Sequence, residues 1–206
     1  NNMNKPLQGL RVIELGQLLA GPFGCMLGYF GAEVIKVEPP GGDPIRNWRQ
    51  VKDGTSLWWR SLGRNKKCIS LDLKTEQGRD LVRELLKSAD IVVENFRPGV
   101  MNRLGLSTAR MMEANSRLIV ASISGYGASG PWQSRRAYAP VVNAETGITK
   151  HQGDAQRREH ANDPHSHGDV YTALEASSAI LAALYQREHT GVGQYIDISM
   201  AETMLY

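Results

Sequence analysis

The chain has 206 residues, 41% hydrophobic and 22% charged, with a formal net charge of +3. That is ordinary globular composition, enough for one good core. Lys and Arg are spread along the chain rather than gathered into a basic face, which argues against a nucleic-acid partner but suits a small phosphorylated ligand.

The polar start, Asn1 to Pro6, lacks the apolar core of a signal peptide, and no apolar run reaches the roughly 18 residues of a membrane helix. A cytoplasmic protein with no membrane partner is expected. Arg11–Leu15 is a β-branched run closed by Gly16, and Pro22–Phe30 reads as a helix closed by Gly31. Glu33–Glu38 is the next strand, halted by PPGGDP, and Lys67–Leu73 alternates with period two. Thr75 caps a helix whose Leu81, Val82, Leu85 and Leu86 fall at helical spacing. Asp90–Glu94 reads as a buried strand, Ser107 caps a short helix to Asn115, and Leu118–Ile123 is a further strand. Residues 135–164 are the least regular and suit a lid or an edge. A long helix runs from Asp169 to His189 with Gly191 and Gly193 beyond it, its Leu174, Leu181 and Leu184 stripe expected in the core. Gln194–Met200 is the last strand. The final residues read as the first turns of a helix with no C-cap signal, so the chain is expected to be a piece of a larger protein.

Strands alternating with helices imply an α/β fold with a largely parallel sheet and helices on both faces. Ligands then bind beyond the carboxyl ends of the strands. The loops after Leu15, Glu38, Glu94 and Ile123 therefore carry the candidate chemistry.

Gly16, Gly21 and Gly24 do not follow the G-x-G-x-x-G spacing, and Pro22 interrupts them. No P-loop Lys-Ser/Thr follows, so NAD or ATP binding is not expected. A tight turn into a helix with Pro at its first position accounts for the stretch. In VENFRPGVMNRLG, Asn95 offers a donor and an acceptor and Phe96 a flat face just past a buried strand. Pro98 can open a helix whose N-terminus favours an anion, and Arg103 adds charge. An ordinary strand-to-helix turn fits the same residues. In HSHGDVYTAL, His165 and His167 lack the spacing and the nearby cysteine of a zinc site, and His151 and His160 flank a polar loop. No metal is expected. Cys25 and Cys68 lie far apart and outside any CxxC, so no disulfide framework is expected either. Asp169 opens the long helix, where it fits an N-cap or an ionised nucleophile on the ligand side.

Several stretches, in order, resemble one family. They are LQGLRVIELGQLLAGP at 7–22, GAEVIKVEPPGGDPIR at 31–46, NKKCISLDLKT at 65–75, VVENFRPGVMNRLG at 92–105, SGYGASGP at 124–131 and HTGVGQYIDISM at 189–200. They are similar to the family III CoA-transferases, of the CaiB/BaiF type, which include formyl-CoA transferase and carnitine CoA-transferase and have the α-methylacyl-CoA racemases as close relatives. The resemblance implies a Rossmann-like α/β large domain, of which residues 1–206 are the N-terminal part, with the small domain and the returning C-terminal segment outside this chain. It implies an interlocked homodimer when full length, with an acyl-CoA and a small carboxylate as substrates and no metal cofactor.

By the same resemblance Asp169, in the Gly168-Asp169 step, is the catalytic carboxylate that forms a covalent aspartyl intermediate. Gln17, Leu18, Ala20, Leu71, Lys74, Asn95, Phe96, Arg103 and Arg136 are implied in coenzyme A binding, with Tyr138 at the substrate. Gln17 and Pro39 stand where formyl-CoA transferase has histidine and arginine. The racemases carry a histidine in the place of Tyr138, and a tyrosine is a poor general base near neutral pH. CoA transfer is therefore favoured over a racemase, with a non-catalytic CoA-binding fragment as the remaining alternative.

Overall fold

The computed structural model describes residues 5–17, 26–162 and 166–206. Leu18, Ala20, Cys25 and His165 lie outside them. Strands β1 (Arg11–Glu14) and β2 (Glu33–Glu38) come first. A two-residue-per-arm hairpin, β3 (Val51–Lys52) and β4 (Thr55–Ser56), follows, then β5 (Lys66–Ser70), β6 (Ile91–Glu94), β7 (Ile119–Ser124) and β8 (Tyr195–Ser199). Apart from the hairpin, these strands form one sheet in the order β5-β2-β1-β6-β7-β8, every neighbouring pair parallel. This doubly wound order turns back on itself between β1 and β6, the topological switch point where such sheets bind ligands.

The strands form because their apolar residues are shared between two faces. Val12, Ile91, Val93, Ile119, Ala121 and Ile123 face one core cluster; Ile13, Val92 and Val120 face the other. This period-two alternation within nearly continuous apolar runs is what a parallel sheet covered on both sides demands. Each fully buried Ile or Val stabilises the fold by about 1.5–3 kcal/mol.

The helices are α1 (Leu57–Leu62), α2 (Glu76–Lys87), α3 (Val100–Arg103), α4 (Thr108–Ala114), α5 (Ala139–Glu145), α6 (Ile148–Gln156), α7 (His167–Thr190) and α8 (Met200–Thr203). Thr75 and Ser107 cap α2 and α4 through their hydroxyls, as their sequences predict. Val82 and Leu86 of α2 and Met111 of α4 cover one face of the sheet, and α7 covers the other.

Four expectations need correction. The stripe of α7 that packs on the sheet is Ala173, Ala176, Ser177, Ile180, Ala183 and Leu184, whereas Leu174 and Leu181 are 46% and 41% exposed. Small side chains let the helix approach the sheet closely, so side-chain size and not hydropathy marks its inner face. Residues 135–164 hold two helices, α5 and α6, where irregular chain was expected. Gly99, with a left-handed backbone, precedes α3, so the short helix begins at Val100 and not at Pro98. The last is the start of α7: Ser166 is its cap residue, His167 its first helical residue, and Asp169 lies within the first turn.

Candidate functional site

β1 ends in Leu15-Gly16-Gln17, and β6 ends in Glu94-Asn95-Phe96. The two turns meet. The Gln17 backbone N–H donates to Asn95 Oδ1 at 2.9 Å, and Asn95 Nδ2 donates in return to the Gln17 carbonyl. Gly16 has φ +96°, and a Cβ there would overlap the Asn95 side-chain oxygen, so only glycine fits. Below this contact lies a buried group of charges. Lys36 Nζ donates to Glu14 at 2.9 Å, to Asp43 at 2.9 Å and to the Gly16 carbonyl at 3.1 Å. Lys66 Nζ reaches the other Glu14 oxygen at 2.7 Å. Burial alone would lower the Lys36 pKa, but the Glu14 and Asp43 carboxylates outweigh it and the net shift is upward. All three ammonium donors are used, and one of them fixes the carbonyl that precedes Gln17.

Phe96 is held from its own backbone: its N–H donates to Glu94 Oε2 at 2.9 Å. Glu94 is buried, which raises its pKa, while the Ser122 hydroxyl and that N–H act against the rise.

Asp169 comes to the site from α7. Gly168 before it packs among Ala139, Asn143 and Met200, a contact that a side chain would crowd. Because Ser166 takes the cap position, the Asp169 carboxylate is not spent on capping, and among the described residues no hydrogen bond to it is formed. It is partly buried, and that burial pushes its pKa up to about 6. A carboxylate of that basicity is ionised at neutral pH yet more nucleophilic than an ordinary surface aspartate.

Gln17, Asn95, Phe96, Arg136, Tyr138 and Asp169 line one cavity of about 370 Å³. The structure thus gathers six of the sequence-predicted residues. Leu71 and Lys74 lie in the turn after β5, at the outer edge of the sheet, with the Leu71 backbone N–H bonded to the Glu38 carbonyl. Arg103 ends α3, exposed. These three share the carboxyl-end side of the sheet but do not line the cavity. His167 is the first residue of α7 and stacks on Tyr171 at 5.5 Å, and His160 pairs with Asp154 at 3.0 Å. Arg97, Gln133 and Arg135 also line the cavity and were not singled out from the sequence. The signal for Arg97 was present, since it directly follows Asn95 and Phe96.

A family model described as CoA-transferase family III matches residues 7–206. The chain belongs to that family. A succinyl-CoA–D-citramalate CoA-transferase of Chloroflexus aurantiacus is 44% identical over 98% of the chain and 50% of its own length. A formyl-CoA:oxalate CoA-transferase of Streptomyces avermitilis is 38% identical over 98% of the chain and 50% of its own. A crystal structure of a CAIB/BAIF family protein from Brucella suis matches with a TM-score of 0.93 and 36% identity, covering 98% of this chain and 55% of that one. The chain spans about half the length of the curated relatives it matches. The α/β fold expected for a family III CoA-transferase is the one observed, down to the parallel order of the sheet. Among the described residues, no helix is long and apolar enough to cross a membrane.

Proposed function

We propose that the full-length protein moves coenzyme A from an acyl-CoA to a carboxylic acid, with Asp169 as the covalent nucleophile. The observation that carries this reading is the Asp169 carboxylate itself: uncapped, raised to a pKa of about 6, and facing the cavity at the switch point. The named relatives transfer CoA between small acids, which supports the same chemistry here.

The steps balance as follows. Asp169 Oδ attacks the thioester carbonyl, the C–S bond breaks, and CoA thiolate leaves a mixed anhydride behind. The thiolate attacks the aspartyl carbonyl of that anhydride and releases the donor acid as its carboxylate. The acceptor carboxylate attacks the resulting aspartyl thioester, expelling the thiolate and forming a second anhydride. Thiolate attack on the acceptor's acyl carbon then yields the new acyl-CoA and returns Asp169 as carboxylate. Donors near the developing oxyanion lower each barrier. The Gln17–Asn95 contact would fix the turn that lines the cavity on that side.

Coenzyme A would lie along the carboxyl edge of the sheet. Its thioester would sit at the central β1–β6 crevice by Gln17, Asn95 and Phe96, and its phosphates toward Leu71, Lys74 and Arg103. Leu18 and Ala20 belong to the same contact by family resemblance, and Arg136 would contribute charge at the opposite wall. No metal cofactor is part of this reading. Residues 1–206 would form the N-terminal part of the large domain of a cytoplasmic, interlocked homodimer. A racemase reading is disfavoured because Tyr138 lines the cavity where a second proton-transfer group is needed, and among the described residues no histidine lines it.

Asp169→Ala in the full-length protein is expected to abolish CoA transfer, by at least about 10³-fold, while its melting temperature stays at or above wild type. Acyl-CoA incubated in deuterated water should show no α-proton exchange. Transfer at wild-type rates in Asp169→Ala, or rapid α-deuteration by the wild type, would refute the proposal.

A further inference from the structure

One wall of the Asp169 cavity is a single loop. It runs from Gly125, just past β7, to Tyr138, just before α5, and Gly125, Gln133, Arg135, Arg136, Ala137 and Tyr138 all line the cavity. Its two ends touch. A Cβ on Gly125 would lie 2.0 Å from the Ala137 Cβ, so the crossing requires glycine. Its middle is held at Ala128, whose N–H donates to both Asp197 carboxylate oxygens at 3.1 and 2.9 Å.

A third tie comes from Glu145, the last residue of α5. Its carboxylate accepts the Tyr126 hydroxyl and pairs with Arg135 at 3.1 Å. The Trp132 ring meets Tyr126 edge-on at 5.6 Å, and the Arg135 guanidinium lies 4.5 Å from the Trp132 centroid. Burial and the Glu145 carboxylate push the Tyr126 pKa up to about 12, so its hydroxyl stays a donor across the neutral range. Tyr126, Trp132 and Glu145 do not line the cavity. Trp132 is half exposed, and neither it nor Glu145 belongs to a core cluster, so these ties add little to the packing that stabilises the sheet.

The ties do fix a spacing. α5 also packs on Gly168, the residue before Asp169: Ala139 Cβ and Asn143 Oδ1 lie 3.1 and 3.4 Å from where a Gly168 Cβ would be. One short helix thus touches the backbone beside Asp169 and, through Glu145, both limbs of the loop that carries Arg136 and Tyr138. Groups around a reacting centre depend on such outer contacts, since a displacement of about 1 Å can cost about 100-fold in rate.

We propose that Glu145 is a positioning residue for CoA transfer, clamping the 125–138 loop to α5 so that Arg136 and Tyr138 are held in place relative to Asp169. This rests on the CoA-transfer reading above and adds to it a residue outside the cavity.

The full-length protein is given acetyl-CoA or succinyl-CoA as donor, and acylation of Asp169 is followed by hydroxylamine trapping over a range of donor concentrations. Wild type, Glu145→Gln, Glu145→Ala, Tyr126→Phe and the Tyr126→Phe/Glu145→Ala double variant are compared well below the lowest melting temperature of the set. Glu145→Ala should lower the maximal acylation rate about 10- to 100-fold and raise the half-saturating donor concentration by less than about threefold. Glu145→Gln keeps an acceptor for the Tyr126 hydroxyl but loses the charge, and should fall between Glu145→Ala and wild type. Tyr126→Phe removes one hydroxyl from a ring that stays in place, so it tests the clamp even if the Glu145 variants fold poorly; it should slow acylation at least about threefold. In the double variant the losses should not multiply, because both substitutions cut the same tie. A lower melting temperature with an unchanged rate per folded molecule would make Glu145 merely structural and overturn the clamp. Losses that multiply would also overturn it, as would an unchanged rate with tighter donor binding, which would assign Glu145 to masking the Arg135 charge. If neither donor labels Asp169 in wild type, the CoA-transfer reading fails and the clamp with it; a labelled wild type with unaffected variants removes the clamp alone.

Discussion

Asp169 sits in a conflict that its proposed role would exploit. Burial raises its pKa to about 6, so the folded protein binds a proton more tightly there than the unfolded chain does. The sign follows directly: between about pH 4 and pH 6 the native state holds the proton and the unfolded state has lost it, so this group's contribution to stability falls as pH rises through that window. The same rise in pH ionises the carboxylate proposed as the nucleophile. We expect kcat/KM for acyl-CoA to climb through an apparent pKa near 6, and Asp169→Asn to be more stable than wild type by about 1–2 kcal/mol at pH 7.5, with the gain gone below pH 4. Parallel denaturation curves at the two pH values check this; equal stability at pH 7.5 would mean that the carboxylate is not strained by its burial. From sequence alone the residue could be located but its state could not. An aspartate after glycine at a helix start reads equally as a cap, and only the placement of Ser166 two positions before Gly168 separates the alternatives.

At the scale of elements, the turn after β1 depends on side chains that sequence inspection passed over. Lys36 and Glu14 sit within strands that read simply as apolar runs, and nothing in their spacing announces that they meet, because parallel pairing brings together residues 22 apart in the chain. The pair is 2% and 0% exposed, and removing Lys36 leaves Asp43 buried without its cation and Glu14 with Lys66 alone. Lys36→Met is expected to cost about 3–5 kcal/mol and to weaken coenzyme A binding at the Gly16–Gln17 turn, measured by urea denaturation and by titration calorimetry. Loss of stability below 1 kcal/mol would show that Lys66 alone satisfies Glu14. The caps of α2 and α4 were legible because a Thr or Ser before a periodic apolar run acts locally. α6 was not, since ITKHQGDAQ contains Gly153, which is the one buried residue of the helix, and carries no apolar stripe. The hairpin turn at Asp53-Gly54, both with positive φ, was a readable signal that went unread.

At the scale of the whole molecule, the sheet order spaces the proposed contacts along its carboxyl edge. The order β5-β2-β1-β6-β7-β8 places Leu71 and Lys74 at the outer edge of the sheet, the Gln17–Asn95 contact at its centre and the helix bearing Asp169 over the β7–β8 side. The parallel sheet with helices on both faces followed from the alternation of strand and helix signals, whereas the order of its strands came only from the structure. What the sequence could not give was which face of α7 meets the sheet. The apolar residues Tyr171, Leu174, Leu181 and Tyr185 lie on its exposed side, while small residues make the core. Covalent attack by Asp169 can be observed as a trapped adduct. The full-length protein is incubated with acyl-CoA, quenched with hydroxylamine, digested, and the peptide containing Asp169 is analysed by mass spectrometry. An aspartyl hydroxamate is expected at Asp169 that requires acyl-CoA and is absent in Asp169→Asn. An unmodified Asp169 under conditions where CoA transfer proceeds would contradict it.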